Sequence, residues 1–262
     1  MNLDAYFRRI GYAGPHTPTL ETLRALHRAH LLAVPFENLD IHLEQPIVLD
    51  EDRLFDKIVN QRRGGFCYEQ NGLFAAVLRA LGFDVTLLEA RVNARSWEAG
   101  TPFDHLALMV RLDEHWLADV GFGDSFMEPL RLDDPGPQAQ ANGVFCVVHD
   151  GFEGTHSRQT HDGDWHDEYR FRLEPRTLSD FSAGCDFHQS SPQSHFTRQR
   201  ICSLATPQGR ITLSDRRLII TENGHRQEHD LEDEDDFLRH LQHYFGIDLR
   251  ADRLPDTTFD TR

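Results

Sequence analysis

The chain has 262 residues, 39% hydrophobic and 27% charged, so it can bury a core and is not disordered by composition. Its 43 acidic residues outnumber 27 basic ones, and the net charge of −16 repels nucleic acid and anionic membranes on average, leaving room only for a local basic site. Lys57 is the one lysine. It has no glycines before it, which excludes a Walker-type phosphate loop, and no supporting context for a Schiff base.

No apolar run reaches the roughly 18 residues of a membrane span. Met1-Asn2-Leu3-Asp4 lacks the charged-then-apolar start of a secretion signal, so a cytoplasmic protein is expected. Cys67, Cys146, Cys185 and Cys202 are widely spaced without a CxxC pair. Neither structural zinc nor a disulfide framework is expected from them.

Residues 1–83 read as helical. Leu3, Tyr6, Phe7 and Ile10 give one apolar helix face. Thr17-Pro18 reads as the start of a second helix, with Leu20, Leu23 and Leu26 inward and an end before Pro35. Asp50 is placed to cap a third, with Leu54, Phe55 and Ile58 inward. A fourth begins near Cys67 and runs through Leu81, with Gly82 able to close it in the left-handed conformation.

The pattern changes at residue 84. The segments 85–88, 106–112, 116–120, 144–149 and 169–173 are short and rich in strand formers, which predicts an antiparallel sheet or barrel. Residues 133–137 read as a loop, and 151–167 as a longer hairpin or mobile loop. The last part is mixed. Strands are expected near 211–213 and 218–221, followed by an acidic stretch and a helix capped by Asp235 or a neighbour and stopped by Gly246. The fold class is therefore α+β.

The most informative stretch is Arg63-Gly64-Gly65-Phe66-Cys67-Tyr68-Glu69-Gln70-Asn71. Two glycines allow a tight turn, and the cysteine follows where helical periodicity begins. Free N–H groups and the positive end of the helix favour a thiolate there, so Cys67 is a candidate nucleophile. A nucleophilic thiol needs a base, and the base needs an orienting group. Sixteen histidines carry little information by number. His105, however, opens an apolar strand, and Asp119 ends the next one. An aspartate in an apolar strand needs a partner, which is either His105 or the backbone of the following glycine turn.

Register tests this pairing. A two-residue turn at Asp113-Glu114 pairs residues whose numbers sum to 227 and puts His105 and Asp119 on opposite faces. A three-residue loop pairs residues summing to 226 and puts them on one face, diagonally adjacent. A Cys-His-Asp site thus requires an odd-length loop or a bulge between them.

The stretch Arg63–Asn71 resembles the signature of the arylamine N-acetyltransferases. The resemblance extends to Val34–Leu39 upstream, and downstream to His105, Ala118–Gly123 and Ser191–Phe196. It implies an N-terminal helical bundle (1–83), a central antiparallel β-barrel (84–190) and a C-terminal α/β lid (191–262), with a cysteine-protease-like Cys-His-Asp core. It also implies that Cys67 is the acetylated nucleophile, His105 its base and Asp119 the orienting carboxylate. Phe36, Tyr68, Phe122 and Phe196 fall where the family lines its aromatic acceptor pocket, although ordinary core packing would also explain them. Arg63, Glu69 and Asn71 are expected to brace the motif, because a buried charge near a thiolate needs pairing. Gly121 and Gly123 are candidates for contact with the coenzyme's pyrophosphate. The chain stops soon after Phe245-Gly246-Ile247, shorter than many bacterial members.

The implied reaction is ping-pong transfer from acetyl-coenzyme A, without a metal, to arylamines, arylhydrazines or N-hydroxyarylamines. A family amide synthase and a thiol hydrolase or transglutaminase-like enzyme share the same three residues and stay open as alternatives. So does a binder without turnover, although it would not need all three. The loose spacing of His149, His156, His161 and His166 suits a solvated loop better than a metal site.

Overall fold

The computed structural model describes residues 1–249; the remainder of the expected third region, 250–262, lies outside the described residues. The helical part comprises α1 (Leu3–Ile10), α2 (Leu20–Ala33), a two-residue strand β1 (Phe36–Glu37), α3 (Leu39–His42), α4 (Glu51–Phe55) and α5 (Cys67–Ala80). A π-helical turn, Asp56–Asn60, continues α4. Asn2 and Asp50 cap α1 and α4 through their side chains, each accepting an otherwise orphaned N–H. The α2 cap is Thr19 rather than Thr17, because the Thr19 side chain accepts the Thr22 N–H while the Thr19 N–H donates to Thr17 O in a preceding turn. Gly82 follows α5 at φ +89°, the left-handed turn expected there.

The sheet part comprises β2 (Asp84–Val92), β3 (His105–Arg111), β4 (His115–Ala118), β5 (Leu130–Arg131), β6 (Gln138–Gln140), β7 (Gly143–His149), β8 (Glu153–Gln159) and β9 (Trp165–Arg176). The segment 151–167, read above as a hairpin or loop, contributes β8 and the start of β9. All pairs are antiparallel, in the order β5-β4-β3-β2-β9-β8-β7-β6. The two edges meet through Gln138, whose side chain bonds both the N–H and the carbonyl of Arg131, so the sheet nearly closes into a barrel. Leu108 pairs with Ala118 and Arg111 with His115, both summing to 226. Residues 112–114 thus form a three-residue loop, and His105 and Asp119 share a face.

Beyond the barrel come α6 (Ser182–Ser190), β10 (Ile201–Thr206), β11 (Gly209–Ser214), β12 (Arg217–Glu222), β13 (His225–Asp230) and α7 (Glu234–Phe245). Strand β1 pairs with β10, matching Phe36 with Ser203, so the second sheet begins in the helical part and ends in the C-terminal part. Asp233 caps α7, and Gly246 stops it at φ +68°.

One large apolar cluster joins α1, α2, α4 and α5 to the outer face of β2 and β3. A second fills the barrel around Phe126, Phe145, Tyr169 and Phe171. A third packs α7 on the second sheet through Phe237, Leu241 and Phe245. Phe237 is fully buried, with the Arg200 guanidinium 4.0 Å from its ring centre. Phe237→Ala should therefore destabilise the fold by about 3–5 kcal/mol in urea titration, since it removes ring packing and opens a cavity; a loss under about 1 kcal/mol would show that α7 does not hold the sheet.

Candidate active site

Arg63-Gly64-Gly65 delivers the chain into α5. Gly65 forms a bridge with Phe36, and Phe66 occupies the position before the helix. Its N–H donates to Glu69 Oε2 at 3.1 Å, while the N–H groups of Glu69 and Gln70 return to Phe66 O. Cys67 and Tyr68 hold the first two helical positions, whose N–H groups lack an intrahelical acceptor.

Asn71, one turn beyond Cys67, ties this helix to the barrel. Its Nδ2 donates to Leu106 O at 2.7 Å and to Asp119 Oδ1 at 2.8 Å, and its Oδ1 accepts the Val120 N–H at 2.9 Å. Asp119 Oδ1 also accepts the Gly121 N–H at 2.9 Å, and its Oδ2 lies 2.7 Å from His105 Nε2. Both partners the sequence left open for Asp119 are thus used. Burial works against the Asp119 charge, but His105, Asn71 and Gly121 together hold its carboxyl below the usual range. With Nε2 committed to Asp119, Nδ1 is the imidazole nitrogen left for a thiol.

The backbone of Leu106, the residue next to His105, favours the charged form of the Cys67 sulfur. A Cβ on Gly121 would stand 2.7 Å from Cys67 Cα and 2.8 Å from Asn71 Nδ2, so only glycine fits this contact. Cys67 is 4% exposed. Burial pushes its thiol well above the usual value, and the carboxylates of Asp104 and Asp119 push the same way. Burial and these carboxylates oppose the low thiol pKa that the helix start favours, so a thiolate at this depth calls for a cation beside it. His105→Gln keeps a group of similar size but removes the proton acceptor. Alkylation of Cys67 by iodoacetamide should slow on the order of 10²-fold, the lower end of what a positioned base supplies. An unchanged rate would exclude His105 as the base.

Beneath the helix lies a buried ionic cluster. Lys57 Nζ is 2.7 Å from both Glu69 Oε1 and Asp40 Oδ2. Arg63 bonds Glu37 Oε1 through Nε at 3.0 Å and Asp40 Oδ1 through NH2 at 2.7 Å. Glu37 also accepts the N–H groups of Gly64 and Leu39, so the cluster sets the course of the chain into Cys67. Burial opposes the Lys57 charge, but Glu69, Glu37 and Asp40 outweigh it and keep the ammonium protonated. Three carboxylates face two cations, and one must hold a proton more tightly than usual. That one is Glu69, pushed up by burial, against the pull of Lys57, from 4.5 to about 7. Because its folded-state pKa is raised, its contribution to stability is complete below pH 4.5 and is lost as pH rises to about 7. A Glu69→Gln variant, which cannot titrate there, should show a flatter dependence of urea-unfolding free energy on pH across this window. Parallel wild-type and variant profiles would show that Glu69 is not the protonated member.

A cleft of about 830 Å³ opens beside this centre. Phe36, Phe122, Gly123, His195 and Phe196 line one part of it. Phe122 packs edge-on to His105 at 5.4 Å, and Phe196 edge-on to Phe66 at 5.9 Å, so the aromatic wall stands against the imidazole and the residue before Cys67. Tyr68 is not on this wall: it is fully buried, and its hydroxyl donates to Phe103 O at 2.6 Å. Gly121 packs on Cys67, whereas Gly123, at φ +98° with open space around it, faces the cleft. Arg28, Arg158, Arg210 and Arg226 line the rest. Arg158 and Arg210 share Asp124, at 3.5 and 3.4 Å.

Several groups around the site were not legible in the sequence. His27 on α2 accepts the Asp119 N–H at its Nε2 and bonds Met127 O through Nδ1; burial pushes its pKa down to about 4, so it stays neutral. Tyr169 packs on His105 and Phe122, both with ring centres 5.2 Å away. The apolar spacing around His27 and the strand pattern around Tyr169 suggested only core. The histidines of 149–166 do not converge: His156 is fully buried beside Ser125 and Glu168, while His161 and His166 are exposed. Among the described residues there is no group of three or more metal-ligating side chains, and no helix long and apolar enough to cross a membrane.

The chain matches the N-acetyltransferase family model over residues 19–254. It is 37% identical to an arylamine N-acetyltransferase of Escherichia coli K12, over 94% of this chain and 88% of that one. The solved arylamine N-acetyltransferase of Salmonella typhimurium superposes with a TM-score of 0.88 at 36% identity, covering 93% and 90% of the two chains. The Mycobacterium marinum arylamine N-acetyltransferase, solved in complex with CoA, gives 0.88 at 34% identity and covers 96% and 95%. With the Cys67 helix start, the His105–Asp119 contact and the aromatic cleft in one place, the chain belongs to the arylamine N-acetyltransferase family.

Proposed function

We propose that this protein transfers acetyl groups from acetyl-coenzyme A, through an S-acetyl intermediate on Cys67, to arylamines, arylhydrazines or N-hydroxyarylamines. The observation that carries the residue roles is the 2.7 Å contact of His105 Nε2 with Asp119, made from a strand whose next residue, Leu106, accepts a bond from Asn71 on the Cys67 helix. His105 Nδ1 takes the Cys67 proton. Asp119 stabilises the imidazolium and holds its ring, and thiolate and imidazolium compensate each other where neither charge alone is tolerated.

The thiolate attacks the thioester carbonyl, a C–S bond to Cys67 forms, and coenzyme A leaves as a thiol after taking a proton from His105. The acceptor nitrogen or oxygen then attacks the S-acetyl carbon. His105 takes the acceptor's proton, and the Cys67 sulfur leaves. Thioester exchange is nearly thermoneutral, so positioning and charge stabilisation account for the catalysis. The Gly121 N–H is committed to Asp119. The free N–H groups at the start of the Cys67 helix, or those of Phe122 and Gly123, are then the oxyanion donors.

The cleft accommodates both substrates. Its aromatic wall of Phe36, Phe122 and Phe196 offers flat faces to an aryl ring. Its arginines, in a chain of net charge −16, offer the local cationic surface that coenzyme phosphates require. Gly123 leaves room for the pyrophosphate. In this reading 1–83 supplies the nucleophile, 84–190 the base and carboxylate, and the described part of 191–262 the cover of the cleft.

Purified protein mixed with acetyl-coenzyme A should gain the mass of one acetyl group on Cys67 and lose it on addition of an arylamine. Cys67→Ala should stay folded by circular dichroism and fall to background turnover. Near-normal turnover in that variant would refute the mechanism. Acetylation followed by release only to water would favour a thiol hydrolase.

A further inference from the structure

A second buried histidine–carboxylate pair lies beside the first. Asp104, immediately before His105, places Oδ1 3.0 Å from His188 Nε2 on α6, and its Oδ2 accepts the Val92 N–H at 3.1 Å. His188 Nδ1 lies 3.2 Å from Ser194 Oγ, which also accepts the Phe196 N–H at 3.2 Å. His188 and Ser194 are 4% and 2% exposed. Burial works against the Asp104 charge, but the bonds from His188 and Val92 hold its carboxyl below the usual range. A carboxylate only accepts, so His188 Nε2 carries a proton. In the neutral ring Nδ1 is then an acceptor, and the Ser194 hydroxyl donates to it. Every group in the chain Asp104–His188–Ser194–Phe196 thus has a partner of the right kind.

Both ends of this chain matter. At one end, Phe103 sits at φ +53°, a left-handed conformation that its Cβ disfavours. The strained turn is held by Tyr68, whose hydroxyl donates to Phe103 O and Asp104 O, and it feeds directly into His105. At the other end, Phe196 is a wall of the cleft, with its ring edge-on to His188 at 5.3 Å and its centre 6.0 Å from that of Phe36.

We propose that His188 is a positioning residue for the acceptor half of the reaction, fastening the Phe196 wall of the cleft to the turn that delivers His105. This rests on the acetyl-transfer reading above. Bonding Asp104 with one nitrogen and Ser194 with the other, His188 keeps the aryl-binding face in register with the imidazole that takes the acceptor's proton. An arylamine needs that register because its ring stacks on the wall while its nitrogen attacks at Cys67. A small acceptor such as hydrazine has no ring to place.

The two half-reactions allow a direct test. Two variants, His188→Gln and Ser194→Ala, cut the link to Ser194. Glutamine can still donate to Asp104, so no buried charge is stranded in the first, and the second leaves the Asp104–His188 bond untouched. Single-turnover acetylation of Cys67 by acetyl-coenzyme A should stay within about twofold of wild type in both. The KM for an arylamine should rise about 10-fold, the size of loss expected when the substrate must itself order a side chain that was previously held in place. Over the same comparison kcat/KM for hydrazine stays unchanged. Equal effects on arylamine and hydrazine, or an arylamine KM at the wild-type value in both variants, would overturn the proposal. Failure of the wild-type protein to acquire an acetyl group would instead refute the reading on which it rests.

Discussion

A carboxylate sealed from water has to be bonded on every side, and Asp119 meets that demand by drawing three parts of the chain together. Asn71 reaches it from the helix that carries Cys67, His105 from the neighbouring strand, and the Gly121 N–H from the turn after it. The requirement is energetic before it is catalytic. An unpaired charge at this depth would cost several kcal/mol, a large share of the stability of an ordinary domain. The fold that satisfies Asp119 also sets the His105 imidazole on a strand tied to the Cys67 helix through Asn71.

The environment of Cys67 follows from the same close fit. Gly121 lies flush against its backbone, and the ionic cluster of Glu37, Asp40, Lys57, Arg63 and Glu69 fixes the turn before it. Burial that excludes water from the sulfur also raises the thiol pKa. In the mechanism proposed above, the nucleophile is made by proton transfer within a pair. Net charge is equally local in its effect: a chain of −16 presents arginines at the cleft because those side chains are gathered there by α2, β8, β11 and β13.

Much of this was legible along the chain. Asp50, Gly82 and Gly246 mark helix ends through local chemistry that needs no distant partner. The parity of the loop after Arg111 could be deduced from the requirement that His105 and Asp119 share a face, and residues 112–114 have the odd length it demanded. What escaped has two causes. β1 has two residues, β5 two and β6 three, too short for any alternation to show. β8 runs Glu-Gly-Thr-His-Ser-Arg-Gln, a polar sequence that is a strand because its neighbours on both sides complete its hydrogen bonds.

From its sequence alone the chain declares an α+β protein with a cysteine at a helix start, a histidine and an aspartate on adjoining strands, and the motifs of a known family. These are short-range properties: caps, periodicities and spacings whose physics is complete within a few residues. Which of sixteen histidines meets which carboxylate was decided only in three dimensions. His188 and Asp104 are 84 positions apart, and His27 meets Asp119 across 92. Nothing in the local chemistry of either residue specifies such a partner; the packing of helix on barrel selects it, because a polar group driven into a dry interior must bond to whatever the fold brings within reach.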